Sequence, residues 1–173
     1  MKQWDCTTNI EFFGISNKRS AERYSLFKNA ASFFVSSLFK NPSKIYFDIY
    51  LTTLKNATGW CVPQERDFFL VEINKNKVFY EQILTLAHEL VHCKQFFYKE
   101  LYEKDSIIYW KKKPYYNDVY EEQPWEIEAF TKEQILVEDF INLGYYNIID
   151  DRSVNRTRYA SRKTIFAESN TPA

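Results

Sequence analysis

The chain has only two histidines, and both lie in one five-residue stretch, His88-Glu89-Leu90-Val91-His92. On a helix, residues four apart stand one above the other, so His88 and His92 can offer two imidazole nitrogens to one metal ion at about 2.0–2.1 Å. Glu89, one position round the helix from His88, is then placed to act on a water activated by that metal. Two histidines around a glutamate at this spacing read as a zinc site that carries its own general base.

A catalytic zinc needs three protein ligands and one open position. With no third histidine, the remaining ligand is a carboxylate or a thiolate. The cysteines, Cys6, Cys61 and Cys93, are odd in number and share no CxxC spacing, which fits reduced thiols in a cytoplasm better than a disulfide framework. Cys93 follows His92 directly and points about 100° away from it, so it reads as a packed thiol rather than a ligand. The carboxylate candidates open a second helix in Gln123-Pro124-Trp125-Glu126-Ile127-Glu128-Ala129-Phe130. Glu126 shares a face with Ala129, Phe130, Val137 and Phe140, whereas Glu128 shares one with Thr131, Lys132, Ile135 and Asp139. The apolar face turns inward, so Glu126 is the better candidate and Glu128 the alternative. Either acid would also complement the positive end of the helix dipole without binding anything, for a few tenths to ~1 kcal/mol.

The elements that must position these groups are legible as periodicity. Ser20 reads as the cap of a first helix to about Lys40, with Leu26, Phe27, Ala30, Phe33, Phe34 and Leu38 along one side. Ile45, Phe47, Ile49 and Leu51 alternate with polar or tyrosine positions as in a half-buried strand. Segments Gly59 to Val62 and Phe68 to Ile73 complete a small sheet, expected as a meander. The motif helix is expected from about Val78 to Tyr102, apolar nearly all round and therefore central. Residues 105–122 read as a hairpin or an ordered loop around Lys111-Lys112-Lys113. A last helix starts at Pro124 and ends near Leu143, before Gly144.

With these motifs in view, the sequence resembles the zincin metallopeptidases of the Glu-ligand type. In that group the HExxH helix is followed by a helix bearing Glu-x-x-Ala/Ser, whose Glu is the third zinc ligand. His88, Glu89 and His92 match the first motif, and Glu126 and Ala129 match the second. Over about Ala21 to Leu143 the order of elements also looks like the compact SprT-like and ImmA/IrrE-like proteins of bacteria and phages. The resemblance implies an α+β fold: an N-terminal helix, a small mainly antiparallel sheet, the buried HExxH helix and a second helix with the third ligand. It implies Zn²⁺ held by His88, His92 and Glu126, with Glu89 as general base in peptide-bond hydrolysis. Two departures stand out. Position 130, where many such enzymes carry Asp or Asn to orient a histidine, is Phe. The histidine that often stabilises the tetrahedral intermediate has no counterpart, and Tyr120, nearest in sequence to the Glu126 helix, is the candidate substitute.

At 173 residues the chain suits one domain, expected over 1–150, with a polar, Arg-rich tail over 151–173. Lys plus Arg and Asp plus Glu number 23 each, so no global field draws the chain to nucleic acid or anionic membrane. Residues 1–14 lack a basic start followed by an apolar stretch, and no run reaches the length of a membrane span, so a cytoplasmic protein acting on a protein or peptide is expected. Two other readings keep the fold. One is a catalytically silent metal-stabilised binding protein that docks a partner through Ile107 to Tyr120. The other acts on nucleic-acid-bound proteins through Lys111 to Lys113 and the basic tail, although the paired cysteines of a zinc ribbon are absent.

Overall fold

A computed structural model describes residues 9–14, 21–116, 119 and 122–145. The expected cap Ser20, the candidate Tyr120 and the tail over 151–173 lie outside them. The mixed α and β composition is as expected, with three α-helices and two small sheets among the described residues.

The chain enters through β1 (Asn9–Phe13), a strand that periodicity alone does not reveal, and crosses through α1 (Ala21–Leu38) to β2 (Tyr46–Thr52). A helical crossover returns the chain in the direction in which it left, so β1 and β2 pair in parallel, Asn9 beside Tyr46 and Phe13 beside Tyr50. From β2 the chain passes to β3 (Gly59–Pro63) on the far side, then turns back through β4 (Phe68–Asn74) into the gap. The order is β1-β2-β4-β3, with β2 parallel to β4 and only β3 antiparallel. The expected meander and mainly antiparallel main sheet are therefore incorrect. Alternation tells which face of a strand is buried, and it says nothing about which neighbour the strand takes.

The faces themselves follow the alternation. Phe47, Ile49, Phe69, Val71 and Ile73 are buried on the inner face, while Tyr46 and Trp60 are exposed on the outer one. Against the inner face lies α2 (Phe79–Phe97), whose middle is buried on all sides. Its start is fixed by Asn74 at the end of β4. The Asn74 side chain donates to the carbonyls of Leu54 and Ala57 and accepts the Asn76 N–H, closing a turn that aims the chain into the helix.

The helix stops at Phe97, five residues before the expected end at Tyr102. Lys99 takes a left-handed conformation (φ 54°), and a second sheet begins two residues later. This is a three-stranded antiparallel meander of β5 (Leu101–Lys104), β6 (Ile107–Trp110) and β7 (Lys113–Tyr115). Both of its turns are two residues long with positive φ at each: Asp105 and Ser106, then Lys111 and Lys112. Those are the conformations whose twist matches flanking strands. Two of the three lysines in the basic run thus form a tight turn. Finally α3 (Pro124–Phe140), with Pro at its start as expected, packs on α2 and passes into a π-type turn at Ile141–Tyr145, where Gly144 has φ 98°.

Candidate metal centre

His88 and His92 stand on the buried middle of α2, and Glu126 on the first turn of α3 faces them across the helix pair. The three are 8%, 8% and 6% exposed, so the group is nearly enclosed but its edge reaches solvent. The Nε2 atoms of the histidines are 3.1 Å apart. One Glu126 oxygen lies 3.3 Å from His88 Nε2 and the other 3.3 Å from His92 Nε2. Ligands about 2.0–2.1 Å from a tetrahedral ion are separated by about 3.3–3.4 Å, and each imidazole lies about that far from one oxygen of the Glu126 carboxylate. Buried His88, His92 and Glu126 are close enough to bind a metal ion.

Two further residues fix the rings. His88 Nδ1 lies 2.9 Å from Glu133 Oε2, a carboxylate on α3 that is itself 3% exposed. With Nδ1 turned to this carboxylate, His88 faces Glu126 and His92 with Nε2, the nitrogen that would coordinate an ion on giving up its proton. His92 Nδ1 lies 2.8 Å from Gln95 Oε1. The Gln95 amide nitrogen donates to the Trp125 carbonyl and to Glu128, which leaves its oxygen as the acceptor for His92. Both rings are therefore held with Nε2 toward Glu126, by a carboxylate on one side and an amide on the other.

Sequence reasoning missed these two. It looked for the orienting group at position 130, where Phe130 instead packs its ring 4.7 Å from that of His88. Glu133 lies seven residues after Glu126 and Gln95 three after His92, so helical spacing alone puts each on the correct face. Glu128, the alternative ligand, is engaged elsewhere. It pairs with Lys132 at 3.1 Å and lies near Lys94 and Lys111 at 3.7 and 3.9 Å. Although partial burial opposes ionisation, hydrogen bonds from Gln95 and Lys132 and the two nearest lysine charges hold its carboxyl below the usual range.

The electrostatics call for a cation. Burial alone would lower the His88 pKa, but hydrogen bonds to Glu126 and Glu133 and the charges of Glu133 and Glu89 push it up to about 10. Three buried carboxyl groups around two imidazoles form a setting that favours a proton or a divalent ion among them. Glu89 is 6% exposed. Burial raises its pKa, helped by Glu126 and Glu133 and opposed by the two histidines.

Comparisons with protein-family models, curated proteins and solved structures find no match for the chain. The site must therefore be read from its own geometry.

One neighbour bears directly on Glu89. A Cβ added to Gly59 of β3 would lie 3.0 Å from Glu89 Cγ and 2.5 Å from Thr85 Cγ2, so β3 rests against the motif helix at that point. β3 also ends the sheet. The bonds Asn74 N–H to Thr58 O and Gln64 N–H to Phe68 O place the narrow pairs at even positions. Backbone groups of Gly59 and Cys61, and the Pro63 carbonyl, consequently face away from β4, where no described strand pairs with them. No described helix is long and apolar enough to cross a membrane.

Proposed function

We propose that this chain is a zinc metallopeptidase of the compact zincin type, acting on extended polypeptide. The observation that carries the reading is the triangle of His88, His92 and Glu126 with Glu89 beside it on the same helix. Two nitrogens and one oxygen in this shape suit zinc, which when bound supplies a lowered water pKa and polarisation of a carbonyl. His88 and His92 would bind it through Nε2, with their rings oriented by Glu133 and Gln95, and Glu126 would bring the carboxylate donor from the second helix.

Glu89 is the general base. Its burial destabilises the anion, so it accepts a proton readily and can pass that proton to the leaving amine. Polypeptide is the favoured substrate class because the open edge of β3 runs past this residue. An extended chain adding there gains backbone hydrogen bonds from Gly59, Cys61 and Pro63, independent of its side chains.

The test is Glu89→Gln. The variant should retain zinc at the parent's stoichiometry and lose about 10²–10⁴-fold in turnover on an unfolded protein substrate. Turnover equal to the parent's would overturn the reading and favour a silent binding protein with the same fold.

A further inference from the structure

On the inner face of the sheet, between β3 and α2, Cys61 Sγ and Cys93 Sγ lie 3.2 Å apart. Neither takes part in the ligand triangle, and both are free thiols. One comes from the edge strand and the other from the helix position directly after His92, so the contact joins two separate elements. A disulfide has an S–S length of about 2.05 Å, so the sulfurs need to close by only about 1.1–1.2 Å. Their accessibility differs. Cys61 is half-buried, whereas Cys93 is fully enclosed, so a small reagent meets Cys61 first.

We propose that Cys61 and Cys93 form a reversible disulfide by exchange with a small disulfide such as oxidised glutathione, tying β3 to α2. The Cys61 thiolate attacks one sulfur of the reagent, forming a mixed disulfide and releasing one glutathione thiolate, which takes up the proton that Cys61 gave up. Cys93 then loses its proton and attacks the Cys61 sulfur. The S–S bond between the two residues forms, and the bond to glutathione breaks with release of a second thiol. In total the protein loses two hydrogens and one disulfide becomes two thiols. The order of attack follows from burial: Cys93 is reached by the neighbouring sulfur and by nothing larger.

The inference stands on the sulfur geometry and does not need the peptidase reading. Its consequence falls at the same place, however, because Cys61 is a residue whose backbone faces the open edge. Bonding its side chain to α2 would fix the strand two residues from the point where Gly59 meets Glu89.

The experiment uses the folded 173-residue chain carrying Cys6→Ser, so that only the pair remains, treated with oxidised glutathione and mapped by intact mass and proteolytic fragments. The expected product has lost two hydrogens, yields a linked Cys61–Cys93 fragment, and returns to two thiols with dithiothreitol. Adding Cys93→Ser should trap glutathione on Cys61, and adding Cys61→Ser should leave Cys93 unmodified. Accumulation of the Cys61 adduct in the Cys6→Ser protein without a linked fragment would overturn the proposal, as would a link that forms only in urea. The mapping of the Cys6→Ser protein decides by itself, even if either further variant fails to fold.

Discussion

Glu133 accepts the Nδ1 proton of His88 across the α2–α3 interface at 2.9 Å, from a position seven residues after Glu126 on the same helix. One face of α3 thus supplies both a direct donor for an ion and the group that aims another donor at it. Removing Glu133 should weaken metal affinity by about 10–100-fold, equivalent to about 1.4–2.7 kcal/mol. Glu133→Gln, which retains an acceptor, should lose less than Glu133→Ala. Competition against a calibrated zinc chelator measures both. Equal affinity in all three proteins would show that His88 needs no such partner.

Glu126 and Glu128 make the sharpest pair of variants, being two residues apart and differently engaged. Glu126→Ala should abolish stoichiometric metal. Glu128→Ala should keep the metal and lose only the cluster with Lys94 and Lys132. Metal content after gel filtration separates them, and loss confined to Glu128→Ala would reverse the ligand assignment.

Gly59 is tolerated where no side chain fits. A Cβ there would meet Thr85 Cγ2 at 2.5 Å and the Glu72 carbonyl oxygen at 2.9 Å, the latter a backbone atom inside the sheet. Gly59→Ala should therefore destabilise the fold by about 1–3 kcal/mol in urea unfolding. Combining it with Thr85→Ser, which deletes the nearest methyl, should recover part of the loss. Additive losses in the double variant would mean that the Thr85 contact is not the cause.

On the outer face of the sheet, Asp48 of β2 stands beside Glu11 of β1, with uncharged Leu70 on its other side. Burial first, and then repulsion from Glu11, raises the Asp48 pKa above the ordinary aspartate value of 3.8. A carboxyl raised in the folded state opposes folding once it ionises. The penalty is absent below the unfolded value and complete above the folded one. Asp48→Asn should therefore melt at a higher temperature than the parent at pH 7, with the difference shrinking as pH falls toward 3.8. A difference that is constant with pH would point to a cause other than ionisation.

How far the sequence discloses this molecule depends on the period involved. A repeat of 3.6 residues assigns each position to a face, which is why His88, His92 and Glu126 are legible together and why Glu126 stands ahead of Glu128. The same repeat places Glu133 and Gln95 on these faces, but nothing in their residue type marks them, and the motif points to position 130 instead. A period of two fixes only which side of a strand is buried, so the parallel pairing of β1, β2 and β4 was not legible. β1 itself has five residues and no strong flanking signal. The Lys111-Lys112 turn was hidden because neither residue favours positive φ.

Gln95 joins His92 on its own helix to the Trp125 carbonyl at the start of α3. With Glu126 and Glu133 also on α3, the ligand set and its supports belong to neither helix alone. An ion held there would favour the docked arrangement of the two helices over any state in which α3 has come away. Ion activity in solution would thereby be linked to the melting of the chain, so that occupancy and tertiary cohesion rise and fall as a single thermodynamic quantity.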